Sequence, residues 1–297
     1  MFLSYDGSFE GLLSALTLCL REERAIWGIL PERRAASCLL PCEPVLVEPD
    51  ILARFDRTLS RRLSADVMEL LFHAFLSERE DIELRILGFL RAGLRIGRDP
   101  SDMLQDPDVA TVREAARAVG HQSHAYAGLL RFRLTAGVYV ADFEPDYHLL
   151  PLVLPHFAER LGDQPFLIRD RRRSLAGVSW PDRTPFIIEL DAGDPEDPDG
   201  LATTGSGGGL PAAPGESDGY EDAWRSYFAA MAVPQRIHPA LQRSNMPKKY
   251  WKYLIERPGG STGAGLRYNE KQRSHPADTE AGRTGTSTPG GDKNGDC

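Results

Sequence analysis

The sequence has no long apolar run and few cysteines. No stretch approaches the roughly 20 apolar residues that a transmembrane helix needs, and the start, MFLSYDGSFE, lacks the basic and apolar segments of a signal peptide. We therefore expect a soluble, cytoplasmic protein without membrane contact. Only four cysteines occur in 297 residues. Cys38 and Cys42 share a proline-flanked loop, and an isolated pair is more typical of reduced thiols than of a metal site, so we expect no metal and no cofactor.

Sequence motifs of several enzyme classes are also missing. The chain contains no G-x-x-x-x-G-K-[ST], no H-E-x-x-H, and no H-x-E with a following C-x-x-C. These absences argue against a P-loop NTPase, a zincin and a zinc deaminase. Whether the protein is an enzyme stays open.

Acidic charge is concentrated in one stretch of the chain. Residues 191–219 hold seven acidic side chains and no basic one, and they account for all but one unit of the net charge of −8. The stretch is rich in Gly, Pro, Asp and Ser, which predicts a disordered linker or insertion. Residues 220–257 carry seven Lys or Arg against three acidic residues. A locally positive surface is therefore expected in a globally acidic chain.

The order of apolar patterns predicts an α+β fold. The first half combines a strand at 1–5 and a brief strand at 45–47 with helices that start near residues 8, 63, 82 and 108, the last ending near 124. The pattern then changes to a hairpin (129–134 and 138–143), a helix (148–161) and three strands (166–169, 175–179 and 185–190). We expect an N-terminal helical region, a small antiparallel sheet with covering helices, and C-terminal helices.

Composition divides the chain into four parts. Residues 1–190 are expected to form the α+β core, helix-rich over 1–125 and sheet-containing over 126–190. The acidic linker (191–219) separates this core from a basic aromatic helical block (220–257) that packs on it. Residues 258–297 have low complexity and are predicted to form a disordered tail.

The basic aromatic block is the strongest candidate site. Basic side chains can neutralise phosphates, and aromatic faces can stack on unpaired bases. Its candidate nucleic-acid contacts are Arg236, Gln242, Lys248, Lys249, Tyr250 and Trp251. The spacing of Trp224, Tyr227 and Phe228 also fits a helix that packs on the core, in which case the lysines are merely solvated.

A second candidate is the basic run at residues 169–173, at the end of a predicted strand. Loops in this position often carry function, which makes Arg169, Arg171 and Arg172 candidate phosphate contacts. A charged turn explains the run equally well.

Catalytic residues are only weakly indicated. The candidates are Asp6, His124, His156 and Asp170. Histidine can serve as a general base, and Asp6 follows the first strand, although it can equally cap the next helix. The spacing of these residues does not predict that they converge.

Four segments carry a family resemblance. They are YDGSFEGLLSA at residues 5–15, LLRFR at 129–133, EPDYHLLPLVLPHFAERLGDQPFLIRDRRR at 144–173 and MPKKYWKYLIE at 246–256. In this order they resemble a bacterial family of DNA metabolism or DNA repair proteins built around a domain of unknown function. The resemblance implies partners, because similar proteins are typically encoded beside a radical-SAM DNA modification or repair protein, and some are fused to a uracil-DNA glycosylase domain. Gln122 stands here where similar proteins usually have Glu.

The leading hypothesis is a DNA-binding accessory or adaptor that acts with a radical-SAM enzyme or a uracil-DNA glycosylase. One alternative is an enzyme that acts on a flipped or single-stranded nucleobase, with the four catalytic candidates in one cleft and a base stacked on Tyr250 or Trp251. Another is a protein-docking partner without nucleic-acid contact. A face shared by residues 169–173 and the C-terminal block would favour DNA.

Overall fold

The structure is a computed structural model that describes residues 1–21, 26–47, 66–135, 137–190, 223–224, 226–227, 230–231 and 239–256. The predicted linker and tail lie outside these ranges. The strands are β1 (Phe2–Tyr5), β2 (Gly28–Pro31), β3 (Cys42–Pro44), β4 (Arg133–Thr135), β5 (Val138–Phe143), β6 (Phe166–Asp170), β7 (Leu175–Ser179) and β8 (Phe186–Glu189). The helices are α1 (Phe9–Arg21), α2 (Glu32–Ala35), α3 (Asp66–Phe75), α4 (Ile82–Ile96), α5 (Pro107–Leu129), α6 (Leu150–Leu161), α7 (Pro239–Asn245) and a 3-10 helix (Lys248–Tyr253).

The prediction of an α+β fold is confirmed. The first three strands form a parallel sheet with the order β2-β1-β3, and the other five form a second sheet. None of the helices in the described ranges has the length and apolar composition needed to cross a membrane.

The first sheet shares one core with α1, α3, α4 and α5. The apolar residues of α1 recur at helical spacing and are buried, as the sequence predicted. The brief strand predicted at 45–47 lies slightly earlier, at β3, and only Val45 continues the pairing through its N–H to Ser4 O (2.7 Å). β2 was not predicted, because Gly28 and Pro31 enclose only two apolar residues.

Helix α5 is longer than predicted. The sequence suggested an end near residue 124 and a strand from 129, but the helix continues to Leu129. Val119, Gln122 and Tyr126 explain the difference, because they extend one buried face at helical spacing. The first strand of the predicted hairpin is therefore short, spanning only β4.

The second sheet has the order β4-β5-β6-β7-β8. Three of its strand pairs are antiparallel, as predicted, but β5 and β6 are parallel. Helix α6 crosses between them and returns the chain to the edge where β5 begins. The carboxyl ends of β5 and β6 consequently lie at the same edge of the sheet.

Side chains alternate between the two faces of β5 and β6. Phe143 and Ile168 belong to the core that α5 and α6 cover. Val140 belongs to a smaller apolar cluster on the opposite face. Asp142 and Arg169 are register partners on that second face.

The C-terminal segment (residues 248–256) packs on the core covered by α5 and α6. Tyr250 contacts this core, and Leu254 is only 1% exposed. The segment is therefore held to the sheet by apolar packing as well as by charge.

Candidate functional site

Two loops meet at the carboxyl ends of β5 and β6. The acidic loop (residues 144–147) follows β5, and the arginine turn (residues 171–173) follows β6. Arg171 N donates to Phe143 O at 3.0 Å, which holds the two loops side by side. Because ligands of α/β proteins are commonly bound at the carboxyl ends of parallel strands, this edge is the candidate site.

Three guanidinium groups surround the carboxylate of Asp142. Arg169 donates from Nε to Oδ1 at 2.7 Å and from Nη2 to Oδ2 at 2.9 Å. Arg171 Nε lies 2.8 Å from Oδ1, and Arg133 Nη2 lies 3.2 Å from Oδ2. The side chains of Asp142 and Arg169 are 4% and 3% exposed, whereas Arg133 and Arg171 reach the surface. We call these four residues the Asp142 cluster.

The Asp142 cluster carries excess positive charge. Burial alone would raise the pKa of Asp142, but the hydrogen bonds and charges of Arg169 and Arg171 outweigh burial and lower it below its ordinary value. The carboxylate is therefore ionised at neutral pH. One negative charge then faces three positive charges, and this surplus attracts anions.

Asp146, in the acidic loop, contacts two cationic side chains and one amide side chain. Lys249 forms an ion pair with its carboxylate, and Arg172 Nη1 lies 3.6 Å from Oδ1. Gln122 Nε2 donates to Asp146 Oδ2 at 2.7 Å, and Asp146 N donates to Gln122 Oε1 at 2.9 Å. Burial would raise the pKa of Asp146, but the hydrogen bonds from Lys249 and Gln122 hold it below its ordinary value.

Glu144 binds the next basic residue of the 3-10 helix. Lys252 Nζ forms an ion pair with Glu144, and Tyr253 Oη donates to Oε1 at 2.7 Å. The hydrogen bond from Lys252 is the largest cause of the lowered pKa of Glu144, and the charge of Arg171 adds to it. The arginine turn and the 3-10 helix therefore share one face, with the acidic loop between them.

Asp170 and His148 lie beneath the arginine turn. Asp170 is fully buried and accepts hydrogen bonds from the backbone N–H groups of Arg172 and Arg173 and from Arg173 Nη1. Arg173 Nε also donates to Glu78 Oε2 at 2.9 Å. His148 Nδ1 is buried and makes no hydrogen bond with any residue that the structure describes. Burial lowers the pKa of His148, against the opposing charge of Glu78, so its imidazole is neutral at pH 7.

The aromatic residues of the 3-10 helix contact their own chain. The rings of Tyr250 and Tyr126 make a T-shaped contact with centroids 5.1 Å apart. Trp251 Nε1 donates to Met246 O at 2.9 Å. Both predicted stacking residues are half-buried, so neither offers a fully open ring face.

A family model for a domain of unknown function, DUF4130, matches residues 79–256. This chain belongs to the DUF4130 family. The comparison with curated proteins gave no match, and the comparison with solved structures gave none. The predicted resemblance to a family built around a domain of unknown function is confirmed to that extent. The DUF4130 match includes the Asp142 cluster, both loops and the 3-10 helix, whereas β1 and α1 precede it.

The predicted phosphate contacts in the DUF4130 domain differ in how exposed the structure leaves them. Arg169 was expected as a phosphate contact at the end of a strand; it lies on β6, and its guanidinium is buried against Asp142. Arg169 therefore lies beneath the surface that Arg133 and Arg171 reach, and its side chain is not accessible to a ligand. Arg236 and the side chain of Gln242 lie outside the described residues. The remaining predicted cations are accessible at the shared face: Arg171, Arg172, Lys248 and Lys249.

The four catalytic candidates are not joined in the part of the chain that the structure describes. No hydrogen bond or ion pair links any two of them there. Asp6 Oδ1 accepts from Ser8 N at 2.9 Å and from Ser8 Oγ at 2.7 Å, so it organises the turn before α1. His124 and His156 are exposed on α5 and α6, whereas Asp170 is fully buried.

Metal ligands are likewise scattered across the described ranges. No group of three or more His, Cys, Asp or Glu side chains there could hold a metal ion. Cys38 and Cys42 are free thiols in the loop before and at the start of β3.

Asp142, Glu144, Asp146 and Gln122 were not predicted as site residues. The signal available in the sequence was charge complementarity between EPD at 144–146 and KKYWK at 248–252. The two segments are about a hundred residues apart, and the Lys249–Asp146 pair itself spans 103 positions. Local patterns do not reveal a contact at that separation.

Proposed function

We propose that this protein is a DNA-binding accessory or adaptor in DNA metabolism or repair, which works in the cytoplasm with a radical-SAM enzyme or a uracil-DNA glycosylase. The proposed partners come from the family resemblance. One observation carries the proposed DNA contact: the arginine turn and the 3-10 helix share one face, on either side of the acidic loop. We call this the cationic face.

The cationic face has more positive than negative groups. Asp146 and Glu144 balance Lys249 and Lys252, which leaves the charge of Arg172, and Arg171 brings part of the surplus of the Asp142 cluster to the acidic loop. Lys248 is exposed and has no ion pair among the described residues. In a chain with a net charge of −8, this local surplus supports a polyanionic partner.

The chemistry of the Asp142 cluster suits phosphate. A guanidinium has five N–H donors in a rigid fork, and Arg133 uses one nitrogen, Nη2, on Asp142. An arginine held in this way can bind a phosphate oxygen with its other donors and loses little freedom in doing so. Arg169 supports this arrangement from inside the sheet.

DNA binding across a salt series tests the proposal. Affinity for a fluorescent oligonucleotide would be measured by anisotropy between about 50 and 200 mM salt. Arg172→Ala and Lys248→Ala are each expected to flatten the slope of log affinity against log salt by about 0.7–0.9, because each removes one phosphate contact.

Arg160→Ala is the matched control, since Arg160 is an exposed arginine on α6 that makes no ion pair in the described ranges. It should keep the wild-type slope. Absence of DNA binding at low salt, or wild-type slopes in both Arg172→Ala and Lys248→Ala, would contradict the proposal.

A second function, docking of a partner protein without DNA, has one observation in its favour. Lys249 and Lys252 are already neutralised by Asp146 and Glu144, as is common on a surface that need not bind phosphate. Retention of a radical-SAM or glycosylase partner by a protein that binds no DNA would favour this alternative. The nucleobase-enzyme alternative has no comparable support, because its candidate residues are not joined.

A further inference from the structure

Trp224 and Tyr227 form an exposed aromatic pair in the C-terminal block. Both are helical residues three positions apart, a spacing that puts their side chains on one helix face. Their ring centroids are 5.8 Å apart with an interplanar angle of 31°. Trp224 is 39% exposed and Tyr227 is 56% exposed, so both rings are accessible to a ligand.

Trp224 is held in a fixed orientation. Its Nε1 donates to Glu256 Oε2 at 3.2 Å. The side chain of Glu256 is only 6% exposed and forms an ion pair with Arg131, whose Nη2 lies 2.8 Å from Oε1. Arg131 Cζ lies 5.7 Å from the centroid of the Trp224 ring, in a cation–π contact. A ring oriented in advance loses little freedom when a ligand stacks on it.

The aromatic pair borders the cationic face through two short chain segments. Arg131, which contacts Trp224, precedes Arg133 of the Asp142 cluster by two residues. Glu256, which holds Trp224, follows Lys252 of the acidic-loop contact by four residues. Because a chain spans at most about 3.6 Å per residue, these separations keep Arg131 within roughly 7 Å of Arg133 and Glu256 within roughly 14 Å of Lys252. This closeness supports an aromatic surface beside the cationic face.

We propose that Trp224 and Tyr227 are a stacking platform for an unpaired nucleobase, so that the site prefers single-stranded or locally unpaired DNA to continuous duplex. This inference rests on the proposed DNA-binding function and adds its substrate class. The bases of a continuous duplex stack on each other and offer no face to a protein ring, whereas every unpaired base does. Tyr250 and Trp251, which the sequence suggested for this role, are half-buried, whereas Trp224 and Tyr227 are exposed.

The test compares three ligands at one salt concentration: a single-stranded oligonucleotide, its duplex, and the duplex with a short internal bulge. We expect the wild-type protein to bind the single strand and the bulged duplex more tightly than the duplex. Tyr227→Ala should weaken binding of these two ligands by roughly 5- to 150-fold, the effect of removing one stacking contact. It should leave duplex affinity and the salt slope unchanged.

Three further variants sharpen the result. Trp224→Ala should weaken binding of the same two ligands. Trp224→Phe should bind them more tightly than Trp224→Ala because it keeps a ring, but less tightly than the wild type because it loses the hydrogen bond to Glu256. Trp27→Ala is the matched control, since Trp27 is an exposed tryptophan in the N-terminal region. Tyr227 makes no hydrogen bond in the described part of the chain, so its replacement should leave the unfolding temperature unchanged.

The outcomes separate the two proposals. The stacking platform is refuted if DNA binds with the wild-type salt slope but Tyr227→Ala and Trp224→Ala keep the wild-type affinity, or lose affinity equally for all three ligands. The cationic face would then still be supported as the DNA contact. If no DNA binds, the proposed function itself fails.

Discussion

Arg169 and Asp142 are register partners on neighbouring strands, and two hydrogen bonds of 2.7 and 2.9 Å join their side chains. Both side chains are buried, so the pair is part of the fold. Arg133 and Arg171 approach the same carboxylate from the surface. A single acidic residue thus supports both the sheet and the cations that we propose contact phosphate.

Removal of this carboxylate should be costly. Asp142→Ala leaves Arg169 buried without its anion, which is expected to lower the free energy of unfolding by about 3–5 kcal/mol. Urea denaturation would measure the loss. Arg160→Ala should stay within about 0.5 kcal/mol of the wild type, because Arg160 is exposed. A loss of unfolding free energy below about 1 kcal/mol in Asp142→Ala would show that another group compensates for the buried charge of Arg169.

Stability should fall as the pH drops through about 6.5 because of His148. The folded state holds the pKa of this imidazole below its ordinary value, so the unfolded state takes up the proton first as the pH falls below about 6.5. The stability contributed by neutral His148 is present above that pH and is lost toward the lower folded pKa. His148→Leu should flatten this part of the curve of unfolding free energy against pH.

The same substitution should cost little stability, because Nδ1 of His148 is buried and has no hydrogen-bond partner in the described part of the chain. His124→Leu, at an exposed position on α5, is the control for the loss of one histidine. Equal slopes for the wild type and His148→Leu would show that other groups control the titration.

The C-terminal segment should contribute directly to stability. Leu254 is almost completely buried, so Leu254→Ala is expected to reduce the free energy of unfolding by about 2–5 kcal/mol. Leu104→Ala, at an exposed leucine, is the control and should change it by less than about 0.5 kcal/mol. If both variants unfold at the wild-type urea concentration, the segment is an independent arm and not part of the core.

Neutralising the acidic loop should strengthen DNA binding. Asp146→Asn releases Lys249 and Arg172, and Glu144→Gln releases Lys252, from their carboxylates. Each variant should bind DNA more tightly at low salt and steepen the salt slope by up to about 0.9 for each released cation. Glu114→Gln, which changes an exposed carboxylate paired with Arg79, should have little effect. Weaker binding by the acidic-loop variants would mean that the loop positions the lysines for DNA.

Local sequence patterns were informative about the second sheet. Alternation and helical spacing predicted β5, α6, β6, β7 and β8 close to their observed bounds, because each pattern is contained in one short segment. The parallel pairing of β5 with β6 was not predicted, since it depends on where α6 returns the chain. The predicted strand at 129–134 failed for a related reason: Tyr126 extends the buried face of α5, and only tertiary packing shows which face is buried.

The candidate site was harder to predict than the fold. Basic residues were recognised, but their partners were not, because Asp146 and Lys249 come together only after the sheet forms. Arg169 was predicted at the end of the strand on which it lies, but its burial was not predicted, because a buried acidic partner on the next strand is invisible in a local pattern. Trp224 and Tyr227 have the spacing of core residues, yet they are exposed.

The 103-residue separation between Asp146 and Lys249 has a consequence during synthesis. A ribosome that adds about 5–20 residues per second needs roughly 5–20 s to pass from one residue to the other. During that interval the nascent chain already has the ring of Tyr126, but it lacks Tyr250, whose ring later packs against it. A chaperone that recognises exposed aromatic side chains can bind during this interval. The interval ends when the 3-10 helix has been synthesised and packs on the core.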